Sequence, residues 1–176
     1  VRSYSAEQMY GAANLVKPDF IRVEADEVTY NLHVLVRFEL ELALIRGDLD
    51  VPDLPAAWND KYRDYLGVQV PDDARGCLQD VHWSCGLFGY FPTYTLGNLF
   101  SAQLFEAARE QLLDLDAQLE AGRFEDLRAW LNDNVHRHGS RYPATDLLQR
   151  ATGKRLDTEP LLQHLSGKLR PLYGLA

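Results

Sequence analysis

Basic residues are the minority in this chain: 18 Lys plus Arg stand against 26 Asp plus Glu in 176 residues, a formal charge of −8. A phosphate backbone would meet net repulsion rather than a surface that releases counterions, which argues against nucleic acid as a partner. Long apolar runs are missing as well. The most apolar stretch, His33 to Leu44, is broken by Arg37, Glu39 and Glu41, which excludes a span of about 20 residues through hydrocarbon and a membrane partner with it. Only two cysteines occur, Cys77 and Cys85, too few for a disulfide framework. With no signal-like start, the expected compartment is the cytoplasm. The two thiols lack flanking ligand pairs and read as buried structural cysteines. None of the five histidines belongs to a His-Glu-x-x-His pattern, the helical zinc motif. His136 and His138 lie two residues apart and would point about 200° apart on a helix, so they converge only past its end. No metal ligand is expected from this chain.

What is present is 46% hydrophobic and long enough to bury one core, so a single helical domain or fragment over residues 1–176 is the expectation. Ser5 and Gln8 form a capping box ahead of a helix expected from Ala6 to about Leu15. Val28, Leu32, Leu35, Phe38, Leu42 and Ile45 recur every three or four residues before Gly47 and predict a long amphipathic helix facing the core. Further helices are expected over Ala56–Leu66, Asp72–Val81, Tyr94–Leu115, Phe124–Arg137, Ala144–Ala151 and Glu159–Leu172, with breaks at Gly67, Gly122, Gly139 and Gly153. The stretch from Trp83 to Pro92 is rich in glycine and aromatics, has no clean period, and reads as a loop. No hairpin signal competes, so the fold class is all-α.

Two segments carry candidate chemistry. In the first, Ile21 to Asp26, Arg22 sits among Glu24, Asp26 and Glu27 where the long helix begins. The acidic residues suit the positive end of the helix dipole. A guanidinium steadied by carboxylates has the fork that captures a substrate carboxylate in two parallel bonds, although an ordinary salt bridge has the same composition. In the second, Gly76 to Trp83, three polar side chains, Gln79, Asp80 and His82, stand beside the aromatic loop. Once buried they need partners. An oriented His82 can donate to a developing oxyanion, and Tyr90 and Tyr94 supply phenolic donors for the same purpose. A polar network that only rigidifies the loop would use the same residues.

These two segments resemble the M32 family of metallocarboxypeptidases, the carboxypeptidase Taq group. Its Ile/Val-Arg-x-x-Ala-Asp pattern matches Ile21 to Asp26, and Gly-x-x-Gln-Asp-x-His-Trp matches Gly76 to Trp83. The likeness continues through Phe88 to Tyr94, Val135 to Gly139 and the Pro-Leu-Tyr-Gly near the end. Other family signatures, His-Pro-Phe, Asp-x-Arg-x-Thr, His-Glu-x-x-His and His-Glu-Ser, are not found. The resemblance implies that the chain begins after the metal ligands, as the helical C-terminal part of a larger, mostly helical zinc-peptidase fold with a glycine- and aromatic-rich active-site loop. It implies that zinc or another divalent metal is bound in the full-length enzyme and none by this chain. It also implies a peptide substrate, a partner in the missing N-terminal part, and a homodimer. Arg22 is then expected to bind the peptide's free C-terminal carboxylate, with Asp26, Gln79 and Asp80 behind it. His82 is expected to act as oxyanion donor, with Tyr94 ahead of Tyr90 as its phenolic companion. The competing class is a stand-alone helical domain whose aromatic loop binds a peptide or partner helix without chemistry.

Overall fold

The structure is a computed structural model that describes residues 3–175, and every secondary-structure element among them is helical. Eight α-helices occur among the described residues: α1 (Ala6–Ala13), α2 (Tyr30–Arg46), α3 (Leu54–Leu66), α4 (Pro92–Gln111), α5 (Leu115–Glu120), α6 (Glu125–Asn134), α7 (Ala144–Thr152) and α8 (Glu159–Tyr173). They form two compact units. One takes the described residues up to Thr95 and those from Leu169 onward, and the other takes Leu96–Lys168.

The first unit is organised by α2 and α3. The capping box at α1 forms in both directions, Gln8 N donating to Ser5 Oγ and Ser5 N donating to Gln8 Oε1. Both α2 and α3 end on left-handed glycines, Gly47 at φ 78° and Gly67 at φ 67°. Val36, Leu40, Trp58, Tyr62, Leu66 and Cys77 form the buried cluster between them, with Trp83 packed against it. Four of the core's largest fully buried side chains, Trp58, Arg37, Tyr62 and His33, are therefore polar or amphipathic.

The face of α2 differs from the sequence expectation. The helix forms where the periodicity places it, yet its buried residues are His33, Val34, Val36, Arg37, Leu40 and Glu41. Leu35, Phe38 and Ile45, three members of the apolar stripe, are exposed. The segment Asp72–Val81 is not a helix but a run of turns. Asp72 Oδ1 accepts from the backbone of Arg75 at 2.9 Å, and Leu78 N bonds back to Asp73 O five residues earlier, so the segment closes a turn instead of running on into an i→i−4 ladder. Gly76 is wedged inside this turn, where an added Cβ would lie 2.9 Å from Val70 Cγ1 and 3.1 Å from Asp72 O. Cys77 is buried as expected, whereas Cys85 is exposed, in a loop that has no core side chain after Trp83 until Phe91.

The second unit buries Ala107, Ala108, Leu115 and Trp130, with leucines from α4, α5 and α6 around them. The single long helix expected from Tyr94 stops at Gln111, and α5 is a separate turn-and-a-half beyond it. Gln103 is buried here and satisfied on both sides of its amide, donating to Arg155 O and accepting from Asp157 N. No helix among the described residues is long and apolar enough to cross a membrane.

Candidate functional site

Arg22 opens a short 3₁₀ turn, Arg22–Glu24, and the residue is 7% exposed. Its backbone N donates to Gln79 Oε1 at 2.9 Å, and Gln79 Nε2 donates to Phe20 O and Arg75 O. Gln79 thus staples the Arg22 turn to the Gly76–Asp80 turn, using every polar atom of its amide. From there the Arg22 guanidinium meets Asp80 Oδ1 through Nε at 3.0 Å and Nη2 at 2.7 Å, while Nη1 donates to the Tyr30 hydroxyl at 3.1 Å. The rings of Tyr94, Phe91 and Tyr30 surround it with centroids 5.2 to 5.9 Å from its central carbon.

Asp80 is shared. Its Oδ2 accepts from Arg37 Nε at 2.6 Å, so one carboxylate bridges two guanidiniums. Burial raises the Asp80 carboxyl, but Arg37 and Arg22 outweigh it and hold the group below the ordinary aspartate range. Asp26 takes a different role from Asp80. It accepts from the backbone of Lys17, Val28 and Thr29 and from the Thr29 hydroxyl, which fixes the entry into α2. Its carboxyl is held low against burial by those bonds.

Arg37 is fully buried and came to light only in the structure. Nη1 donates to His33 O at 2.7 Å and to the Tyr62 hydroxyl at 3.0 Å, and the guanidinium stacks 4.6 Å from the Trp58 ring centroid. The Tyr62 hydroxyl, which accepts from Arg37, also lies 3.0 Å from His33 Nδ1, while His33 Nε2 is buried without a hydrogen-bond partner among the described residues. A sequence signal for this network existed. His33, Arg37 and Glu41 interrupt the most apolar stretch at intervals of four, which puts three polar groups on one helical face.

Burial, with the positive charges of Arg37 and Arg22, lowers His33 to about 4, against the weaker pull of Asp26 and Asp80. The unfolded chain binds that proton near pH 6.5, whereas the fold refuses it until about pH 4. Stability contributed by the neutral ring is therefore complete above pH 6.5 and falls as the pH drops toward 4, by up to about 3 kcal/mol. Urea unfolding of the parent and of His33→Gln at pH 7 and pH 4.5 checks this. The parent is expected to lose more stability across the interval, and equal losses would count against a neutral buried His33.

His82 is buried against Phe91, with ring centroids 4.3 Å apart, and its Nε2 lies 2.9 Å from the Tyr94 hydroxyl. Tyr90 is 45% exposed and meets His82 and Tyr94 only through ring contacts. Burial, with Tyr90, Tyr30 and Asp80 nearby, raises Tyr94 above the ordinary phenol value despite Arg22, so its hydroxyl keeps its proton at neutral pH. Trp83 donates its indole N–H to the buried Glu41 at 2.8 Å, anchoring the loop root to α2. Arg22, Gln79, Asp80, His82 and Tyr94 are thereby gathered into one cluster of the first unit.

Among the described residues no group of three or more His, Cys, Asp and Glu side chains is placed to hold a metal ion. His136 and His138 lie in a 3₁₀ turn, His136–His138, and His138 packs on Tyr142.

Residues 1–169 match the family described as carboxypeptidase Taq (M32) metallopeptidase. The chain is 52% identical to thermostable carboxypeptidase 1 of Thermus thermophilus over 170 residues, covering 97% of this chain and 33% of that protein. It is 47% identical to carboxypeptidase 1 of Bacillus subtilis, covering 99% of this chain and 35% of that protein. The crystal structure of the M32 carboxypeptidase from Deinococcus radiodurans superposes with a TM-score of 0.94 at 46% identity, covering 97% of this chain and 35% of that one. The chain therefore spans about a third of the length of the relatives it matches. The metal that the family description implies does not fit the residues described here, because the buried cluster is built on two guanidiniums rather than on donors for a cation. On the match over residues 1–169, the chain belongs to the carboxypeptidase Taq (M32) metallopeptidase family.

Proposed function

We propose that this chain is the C-terminal third of a cytoplasmic, metal-dependent carboxypeptidase that releases C-terminal amino acids from peptides. Zinc or another divalent ion is held by residues outside the chain. The chain alone is inactive for that reason. Its own contribution is recognition of the peptide's free carboxylate by Arg22.

The observation that carries this reading is the unfinished bonding of Arg22. A guanidinium has five N–H donors, and Arg22 spends three of them on Asp80 and Tyr30. Two remain in a water-poor aromatic surround, where an arriving carboxylate would form charge-assisted bonds. His82 and Tyr94 lie beside this point and act on the oxygen that gains charge in the transition state. Gln79, Asp80 and Asp26 set the geometry of the turns that carry them. Tyr90 borders the same loop.

The exposed stripe of α2, Leu35, Phe38 and Ile45, is the surface that the other two thirds of the enzyme cover. The family resemblance implies that the whole protein acts as a homodimer.

In the whole enzyme, Arg22→Ala is expected to raise KM for free-carboxylate peptides about 10- to 100-fold, the size of one lost charge-assisted bond. Turnover number should change far less. A C-terminal amide substrate, which cannot form the pair, should lose little when Arg22 is replaced. An unchanged KM for the free-carboxylate peptide would remove Arg22 from substrate recognition.

A further inference from the structure

The Arg22–Asp80 pair would be neutral if it stood alone, and a neutral pair is a poor receptor for an anion. It does not stand alone. Asp80 divides its oxygens, Oδ1 to Arg22 and Oδ2 to Arg37, so two positive charges share one negative charge. The buried triad carries a net charge of +1, and the shared carboxylate is only partly available to neutralise Arg22.

Arg37 is also the fixed point of the triad. It is fully buried, tied to the α2 backbone through His33 O and to α3 through the Tyr62 hydroxyl, and packed on Trp58. Asp80, by contrast, lies in the turn segment between Gly76 and His82, with no helical ladder of its own to hold it. If Arg37 did not hold Oδ2, the carboxylate would be free to rotate and present both oxygens to the Nε/Nη2 edge of Arg22, pairing it fully.

We infer that Arg37 is a positioning residue for the free-carboxylate site: by holding Asp80 Oδ2 it keeps Arg22 oriented and incompletely neutralised, without touching the substrate. This rests on the reading that Arg22 binds the substrate carboxylate. The chemistry that it serves is anion recognition, and its signature is a binding effect confined to substrates with a free C-terminal carboxylate.

The test uses the whole peptidase that carries this chain, assayed with an N-blocked dipeptide bearing a free carboxylate and with the corresponding C-terminal amide. Arg37→Met, which keeps the length and removes the charge, should raise KM for the free-carboxylate peptide about tenfold or more, with kcat within about threefold of the parent and the amide unaffected. Arg37→Lys, which restores the charge as a single point donor, should raise it only about threefold. A merely structural role would lower the active fraction and depress turnover of both substrates alike. Arg22→Ala separates the two claims. If it leaves KM unchanged, the carboxylate reading fails; if it raises KM while folded Arg37→Met stays within twofold of the parent, only the role of Arg37 fails. Should Arg37→Met not fold, Arg37→Lys decides: a raised KM for the free-carboxylate peptide alone supports the inference, and an unchanged KM overturns it.

Discussion

Asp80→Asn is expected to destabilise the fold by about 3–5 kcal/mol, because it removes the negative charge that two buried guanidiniums share. Arg37 is fully buried, so it has no ready access to water as a substitute partner, and Arg22 has little at 7% exposure. An asparagine of the same shape offers one acceptor oxygen where two are needed, and its NH₂ would face a donor. Chemical unfolding of the two proteins, compared by midpoint at equal slope, reads the difference. The double variant Asp80→Asn with Arg37→Met should recover part of the loss, since it removes a buried cation together with its partner. A loss under about 1 kcal/mol would show that the triad is solvated and not the electrostatic centre of the unit. The acid limb follows the same logic. Asp80 has its carboxyl held below the unfolded value near 3.9, so its contribution is complete above that pH and is lost as the pH falls through the folded value. That window lies below the one assigned to His33.

The second large effect is on turnover. Under the proposed role, His82→Ala and Tyr94→Phe should each lower kcat in the whole enzyme by about 10² to 10³, the usual cost of one oxyanion donor, with the folded state retained. The 2.9 Å contact between His82 Nε2 and the Tyr94 hydroxyl adds a constraint. Groups joined by one hydrogen bond act as a unit, so the double variant should be about as slow as the slower single variant rather than the product of both losses. Tyr90→Phe should be nearly silent, because Tyr90 meets the pair through its ring alone. Strict multiplication of the two losses would show that His82 and Tyr94 serve different steps, and loss of folding in His82→Ala would assign His82 to packing against Phe91.

The sequence by itself determined the helical class, the start of α1 and the ends of α2 and α3, because capping boxes and left-handed glycines act within a few residues. It also singled out Arg22, Gln79, Asp80 and His82, since two polar segments among aromatics demand partners wherever they are buried. It did not decide which face of α2 turns inward. Periodicity picked out a stripe of Val28, Leu32, Leu35, Phe38, Leu42 and Ile45, but Leu35, Phe38 and Ile45 are exposed while His33, Arg37 and Glu41 are buried. A period detects a stripe, whereas the tertiary structure supplies what each stripe meets. Here Trp58, Tyr62, Asp80 and Trp83 give the polar stripe ring faces and hydrogen bonds. Nor did local pattern reveal that Asp72–Val81 is turned rather than helical, with Gly76 packed close against Val70 and the Asp72 carbonyl. Asp80 and Arg37 stand 43 positions apart in the chain, and no local rule links residues at that separation. Only folding brings the carboxylate between its two guanidiniums, where the low dielectric makes their pairing strong enough to govern both stability and charge at the site.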